Sequence, residues 1–281
     1  MTCLFYNLLI ALLSVIITKS LNIKNLINYL FPPLGNRHWY ITSYSIVFFC
    51  IPLLNDFFNK ISRKAFNAYL IFFFTLFSCL SIFSLHDIFY INWGYSFSWL
   101  IYCYTVGIYI KRFNIKIRSV YSLLIILINT IAIFCSRLIL VKLSRRFLGC
   151  ENYPIINLFM RYNSPFVLIN AICFVLIFIR VEVQNRIFKR IIKILSITSF
   201  DVYIIHAHPF ILDNYIYNGF DFIFREKILM TIIFAILSIV IVYLICSLIG
   251  LLRAYLFKIL RINNVIKKFG TIVNSFFDSN K

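Results

Sequence analysis

The stretch 198–210, TSFDVYIIHAHPF, places His206 and His208 inside an apolar run that closes on Pro209. An imidazole, with an unperturbed pKa of about 6.5, is an ionisable group that hydrocarbon penalises. Asp201 stands at i−5 and Tyr203 at i−3 to His206, close to the same helical side. His208 falls about 200° further round, so a continuous helix keeps the two imidazoles on different faces. Pro209 removes a backbone donor and frees a carbonyl near Ile205, which is tolerated where a cavity or neighbour satisfies it. A single buried His is explained by one interhelical hydrogen bond. This cluster is denser than that explanation needs, so the stretch reads as the wall of a functional cavity.

Two other places carry polar groups where apolar ones dominate. In 35–44, GNRHWYITSY, the residues Arg37, His38, Trp39, Tyr40 and Tyr44 crowd one helix start. An interfacial aromatic belt accounts for Trp39. The i, i+4 pair Tyr40/Tyr44 equally suits a cavity wall. Arg137, within IAIFCSRLILVK, either snorkels to the interface or holds an anionic group. Asp213 and Asp221 read as ordinary solvated residues.

The elements that position these groups follow from composition. Of the 281 residues, 62% are hydrophobic and 13% charged, and the mean hydropathy is +0.91. A soluble domain carries about 25% charged residues, so the chain is expected to be an integral membrane protein. Eight apolar runs, near 3–18, 38–56, 66–85, 94–110, 119–141, 165–181, 197–217 and 228–252, approach the roughly 17–25 residues of a membrane-crossing helix. The expected fold is an all-α, polytopic bundle of about eight spans forming a single membrane-embedded domain over 1–281. The first run lacks a basic n-region and a small-residue cleavage pattern, and reads as a retained span. Counted from Ser196, His206 is about 15 Å along its helix, near mid-bilayer.

Lys and Arg fall in short connectors, with twice as many on one side as on the other. That asymmetry places both termini in the cytoplasm, with 253–281 as a basic cytoplasmic tail. The formal net charge of +19 is thus a matter of topology and anionic membrane lipids, and nucleic acid is not an expected partner. Eight cysteines show no CxxC and no metal-ligand spacing, so neither a disulfide framework nor a metal site is expected.

Several stretches, taken in order, carry a resemblance. HWYITSYSIVFFCIPLLNDF (38–57) resembles, through Trp39, Tyr40, Thr42, Tyr44, Pro52, Leu54 and Asn55, one helix of the integral-membrane acyltransferase 3 family. FSWLIYCYTVGIYIKRF (97–113) is similar to its aromatic helix ending in a glycine, a tyrosine and a basic pair, here Gly107, Tyr109, Lys111 and Arg112. YNSPFVLINAICFVLIF (162–178) and ITSFDVYIIHAHPFI (197–211) resemble its Ser-Pro-Phe helix and its histidine signature, through Phe200, Val202, Tyr203, Ile205, His206 and Pro209. The likeness covers the chain from about residue 30.

The resemblance implies an O-acyltransferase of the bacterial inner membrane. The donor would be a cytoplasmic acyl-CoA, with acetyl as the family expectation, and the acceptor a surface or lipid-linked polysaccharide; no bound cofactor is implied. By the resemblance His206 would be a second histidine that orients, binds or relays, and where the family's catalytic pair is missing it is the only deep candidate for the catalytic base, with Arg37, His38, Trp39, Tyr40, Tyr44, Arg137, Tyr203 and His208 around the substrates. Two departures stand out. Residue 201 is Asp where the pattern prefers Gly. The family's Arg-then-His pair in its first helix has no counterpart, since neither residue occurs before Arg37. The simplest account is a chain truncated by two N-terminal helices relative to the family, which leaves a non-catalytic remnant, or a small transporter or flippase of lipid-linked saccharide, as the alternative. A polysaccharide polymerase would want a larger outward loop.

Overall fold

The computed structural model describes residues 2–18, 39–83, 86–150, 153–225 and 227–262. The long elements are α1 (Thr2–Thr18), α2 (Trp39–Lys60), α3 (Arg63–Phe74), α4 (Phe97–Arg112), α5 (Ser119–Leu148), α6 (Pro165–Phe178), α7 (Arg186–His206) and α8 (Ile228–Ile259), and no strand occurs among the described residues. Trp39–Lys60, Ser119–Leu148, Leu158–Phe178 and Ile228–Ile259 are long and apolar enough to cross a membrane. A fifth crossing results if Arg186–His206 and Pro209–Ile223, bent by 72°, form one span. α1, α3 and α4 are shorter, at 17, 12 and 16 residues.

Local sequence explains where these helices begin. Ser62 and Ser96 cap α3 and α4 by accepting from Ala65 N (3.2 Å) and Trp99 N (3.3 Å), and Asn185 caps α7 through Ile187 N (2.8 Å) and Phe188 N (3.3 Å). Each side-chain oxygen takes a donor that the first turn leaves unsatisfied. Pro165 opens α6, where its missing N–H costs nothing.

The chain divides into two compact units, one of Trp39–Glu182 and one of Met1–His38 with Val183–Lys281. In the first, α2, α3 and α4 pack through aromatic side chains. Phe58 and Phe66 are fully buried with ring centroids 4.6 Å apart, and Trp99, Tyr102 and Leu168 form a core against Phe73 and Phe77. α3 runs on through a π-helical turn, Thr75–Leu80, to Ser81–Phe83. Buried Asn163 donates there to Phe77 O and Ser81 Oγ, both at 2.7 Å, tying the segment before α6 to this irregular turn.

In the second unit α7 and α8 meet along a polar seam. Thr198 and Ser247 share a hydrogen bond of 3.1 Å, and Tyr243 donates to Leu195 O at 3.0 Å. At its centre Arg253 Nη2 donates to Asp201 Oδ2 (3.1 Å), and Nε lies 2.8 Å from Oδ1. Asp201 is 1% exposed and the Arg253 side chain 13%. Arg253 also reaches Thr2 Oγ1 on α1 (3.3 Å), and the buried Tyr6 hydroxyl faces both charges. A Cβ on Gly250 would lie 2.9 Å from Asp201 Oδ2 and 3.0 Å from its Cβ, so this position must be glycine for the carboxylate to fit. Arg253, grouped with the basic tail on sequence grounds, instead lies within α8, which continues to Ile259.

Removing one partner of a buried, hydrogen-bonded pair costs about 3–5 kcal/mol, whereas replacing both with apolar residues is often neutral. Arg253→Met should therefore destabilise the protein by about that amount in thermal unfolding, and Asp201→Leu/Arg253→Met by much less. Equal losses in the single and double variants would show that the pair is not an energetic unit.

Candidate functional site

α7 ends at His206, inside the run 197–217 expected to form one span interrupted by polar residues. Ala207 N bonds to Tyr203 O (3.1 Å) and His208 N to Ile205 O (3.3 Å), so the carbonyl that Pro209 would have orphaned is taken by a tighter closing turn. His208 is the N-cap of the next segment, with extended backbone (φ −69°, ψ 126°) and Pro209 at its first position. The chain then turns by 72° and continues through Pro209–Ile211, a π-helical Leu212–Tyr217 and Asn218–Phe220. Short π-helical segments recur at functional sites.

The break gives the two histidines different chemistry. His206 Nδ1 lies 2.6 Å from Val202 O. A carbonyl only accepts, so in the neutral ring Nδ1 carries the proton and Nε2 keeps the lone pair. His208 Nδ1 instead accepts from Phe210 N at 3.2 Å, so its proton is on Nε2. Fully buried, His208 serves the turn, and His206, part-buried beside the edge of Tyr203 (ring centroids 6.3 Å), is the one with a basic nitrogen to offer. A cavity of about 280 Å³, lined by Val202, His206, Leu212, Ile216, Ser238 and Tyr243 among others, sits in the crook between the bend and α8. Its walls are almost wholly apolar.

A second recess, of about 390 Å³, belongs to the Trp39–Glu182 unit and is lined by Trp93, Tyr95, Pro154, Asn157, Met160 and Arg161. Tyr90, Asn92 and Trp93 all hold positive φ (50°, 47° and 56°), a conformation non-glycine residues adopt at a cost. Asp87 holds this turn by accepting from Ile91 N (3.1 Å) and Asn92 N. Gly94 (φ 96°) presses so close to the next segment that a Cβ would lie 2.6 Å from Tyr162 Cβ and 2.8 Å from Asn163 N. The turn thereby holds Trp93 under the Arg161 guanidinium, 3.5 Å from the ring centroid.

A third recess, of about 750 Å³, is lined by Asn55, Asn59, Tyr104, Gly107, Lys111 and Arg112 among others. Tyr104 donates to Asn55 Oδ1 (3.0 Å), Arg112 is anchored on Phe58 O, and no atom occupies the space beside Gly107. Lys111 and Arg112 end α4, whereas Trp93 and Tyr95 precede its start, so the two recesses lie at opposite ends of one helix of 16 residues, about 24 Å long.

Of the residues singled out from sequence, Arg37 and His38 lie outside the described residues. Trp39 packs edge-on against Tyr95 (4.8 Å), at the second recess. Arg137 reaches the same place through Met160 Sδ, 3.9 Å from its Nη1. Tyr40 and Tyr44 stack on each other (5.9 Å, 15°). Tyr203 and His206 adjoin each other, and His208 caps the segment that follows their helix. Sequence reasoning missed Trp93, Tyr95, Asn157 and Arg161; the signal was Asn92-Trp93-Gly94, a large aromatic held between two turn-forming residues. Among the described residues no group of His, Cys, Asp or Glu is arranged to hold a metal ion.

The acyltransferase domain model of the acyltransferase 3 family matches residues 1–251, and the chain belongs to that family. Neither curated proteins nor solved structures gave a significant match.

Gly94→Ala should push the 90–94 turn off Tyr162 and break the Trp93–Arg161 stack. A lower melting temperature with red-shifted tryptophan emission is expected; an unchanged spectrum and Tm would mean the turn does not hold Trp93 in place.

Proposed function

We propose that this chain is a multi-pass O-acyltransferase of the bacterial cytoplasmic membrane, with about eight passes and both termini cytoplasmic. It would move an acyl group, acetyl by family expectation, from a cytoplasmic acyl-CoA to a hydroxyl of a surface or lipid-linked polysaccharide. The observation that carries this reading is the His206 Nδ1 contact with Val202 O, which leaves the lone pair on Nε2 of a ring that lines an apolar cavity. In the reaction the acceptor hydroxyl gives its proton to Nε2 as its oxygen bonds to the thioester carbon. The tetrahedral intermediate then expels the thiolate, which recovers the proton from the imidazolium.

The recesses at the two ends of α4 support the same reading. The Lys111–Arg112 end, with Asn55 and Asn59, suits an anionic, phosphate-bearing donor. At the other end, Trp93 and Tyr95 offer rings and polar tips of the kind that hold a saccharide. With the termini cytoplasmic, the first recess faces inward and the second outward. Secondary transporters also carry broken helices, at corresponding positions of two repeats, and an assay of acyl transfer separates the two activities.

His206→Gln should retain the fold and lose about 10²–10⁴-fold in rate, read as transfer of labelled acyl group from acyl-CoA to glycan in membranes containing the full chain. Transfer at the parental rate would remove His206 from the chemistry. A parent chain that moves lipid-linked saccharide across the bilayer without acylating it would establish the transport reading.

A further inference from the structure

The first turns of α7 stand clear of the packing that holds the rest of it. Every residue from Gln184 to Ile194 is exposed, and the hydrogen-bonded seam with α8 begins at Leu195, whose carbonyl accepts from the Tyr243 hydroxyl. Within this end the side chains are sorted by type. Arg186, Lys189, Arg190 and Lys193 recur at i, i+3, i+4 and i+7, which confines four cations to one stripe about 100° wide. Ile187, Phe188, Ile191, Ile192 and Ile194 take the rest of the circumference and are exposed as well. Among the described residues no carboxylate pairs with any of the four cations.

Four unpaired charges along one face call for counter-ions, and five large apolar side chains beside them call for cover from water. Bulk water satisfies only the first demand and hydrocarbon only the second. The boundary between headgroups and acyl chains satisfies both, and an amphipathic helix sinks its apolar side there by about 5–10 Å. From this arrangement we infer that Arg186, Lys189, Arg190 and Lys193 are a docking surface for anionic phospholipid. Headgroup phosphates of the phosphatidylglycerol type lie along the stripe, with Phe188 and the isoleucines among the acyl chains. A zwitterionic headgroup cancels its phosphate with its own ammonium and is held less well for that reason. His206 ends the same helix about 20 Å beyond Lys193, so the depth at which lipid holds this end also sets the depth of the imidazole. The inference concerns the surrounding lipid and stands apart from the acyl-transfer reading.

The test uses the full-length chain carrying Phe188→Trp, in nanodiscs of phosphatidylcholine with a fixed fraction of brominated lipid, either phosphatidylglycerol or phosphatidylcholine. Bromine quenches indole emission on contact, and the signal of Trp39, Trp93 and Trp99 is subtracted with the parent chain in the same discs. Brominated phosphatidylglycerol should quench position 188 several-fold more than brominated phosphatidylcholine. That preference should vanish in Arg186→Gln/Lys189→Gln/Arg190→Gln/Lys193→Gln. With the stripe intact it should also vanish at about 1 M salt, where the Debye length is about 3 Å. Equal quenching by the two lipids, or a preference that survives neutralisation or salt, would overturn the proposal. So would no quenching by either lipid, since protein rather than membrane would then cover this face. Loss of the preference on adding acyl-CoA would do the same, by assigning the stripe to the phosphates of that molecule.

Discussion

A carboxylate and a guanidinium held out of water, Asp201 against Arg253, set the geometry of the unit that carries His206. The pair joins α7 to α8, and Thr2 with Tyr6 extends it to α1. Neither charge would survive alone in such a place, because desolvating an unpaired ion costs several kcal/mol. The pair therefore contributes less as net stability than as a specification: Asp201 has one low-energy position, against Gly250, and α7 is clamped there. His206 lies five residues further along the same helix, so its position follows from that clamp and from the closing turn at Ala207. The Asp that departs from the family pattern is thus matched by a glycine to receive it and an arginine to neutralise it.

The other unit answers a different constraint. Its π-helical turn at Thr75–Leu80 disturbs the regular backbone ladder, and Asn163 and Ser81 return hydrogen bonds to Phe77 O. Large aromatic rings, packed edge to face around Phe58, Phe66 and Tyr102, fill the space between short helices where aliphatic side chains would leave gaps. Irregular backbone in such a bundle persists only where neighbours satisfy it. Asn163 performs that task beside Tyr162, the residue against which Gly94 seats the Trp93 turn.

Hydropathy revealed the helices because apolar runs of the right length have few other uses, although the runs near 66–85 and 197–217 are each built from more than one helical segment. Breaks and partners were harder to read. The 3.6-residue period carries straight through Tyr203, His206 and Pro209, and proline at a helix start is written the same way as proline in a helix. That His208 caps a new segment depends on its ring accepting from Phe210, a contact no spacing reveals. Asp201 could be recognised as a departure, but its partner stands 52 residues later among ordinary basic residues. Trp93 and Arg161 were hidden for another reason: in a chain that is 19% aromatic one more tryptophan carries little information. What distinguishes Trp93 is the strained turn beneath it.

The length of α4 bears on how an acyl group would cross. At about 24 Å it is shorter than the roughly 30 Å of hydrocarbon in a typical bilayer. A helix that short spans only if its flanking groups reach the interface or the bilayer thins around it. Lys111 and Arg112 at one end, and Trp93 with Arg161 at the other, have the long or amphipathic side chains that do this. The recesses they line are then sunk beneath the headgroups. In the proposed reaction, donor and acceptor meet through a path shorter than the membrane is thick. A small acyl group needs little movement over that distance, provided that water is excluded and a base is held still. Within its own unit, the imidazole is held still by the Val202 carbonyl.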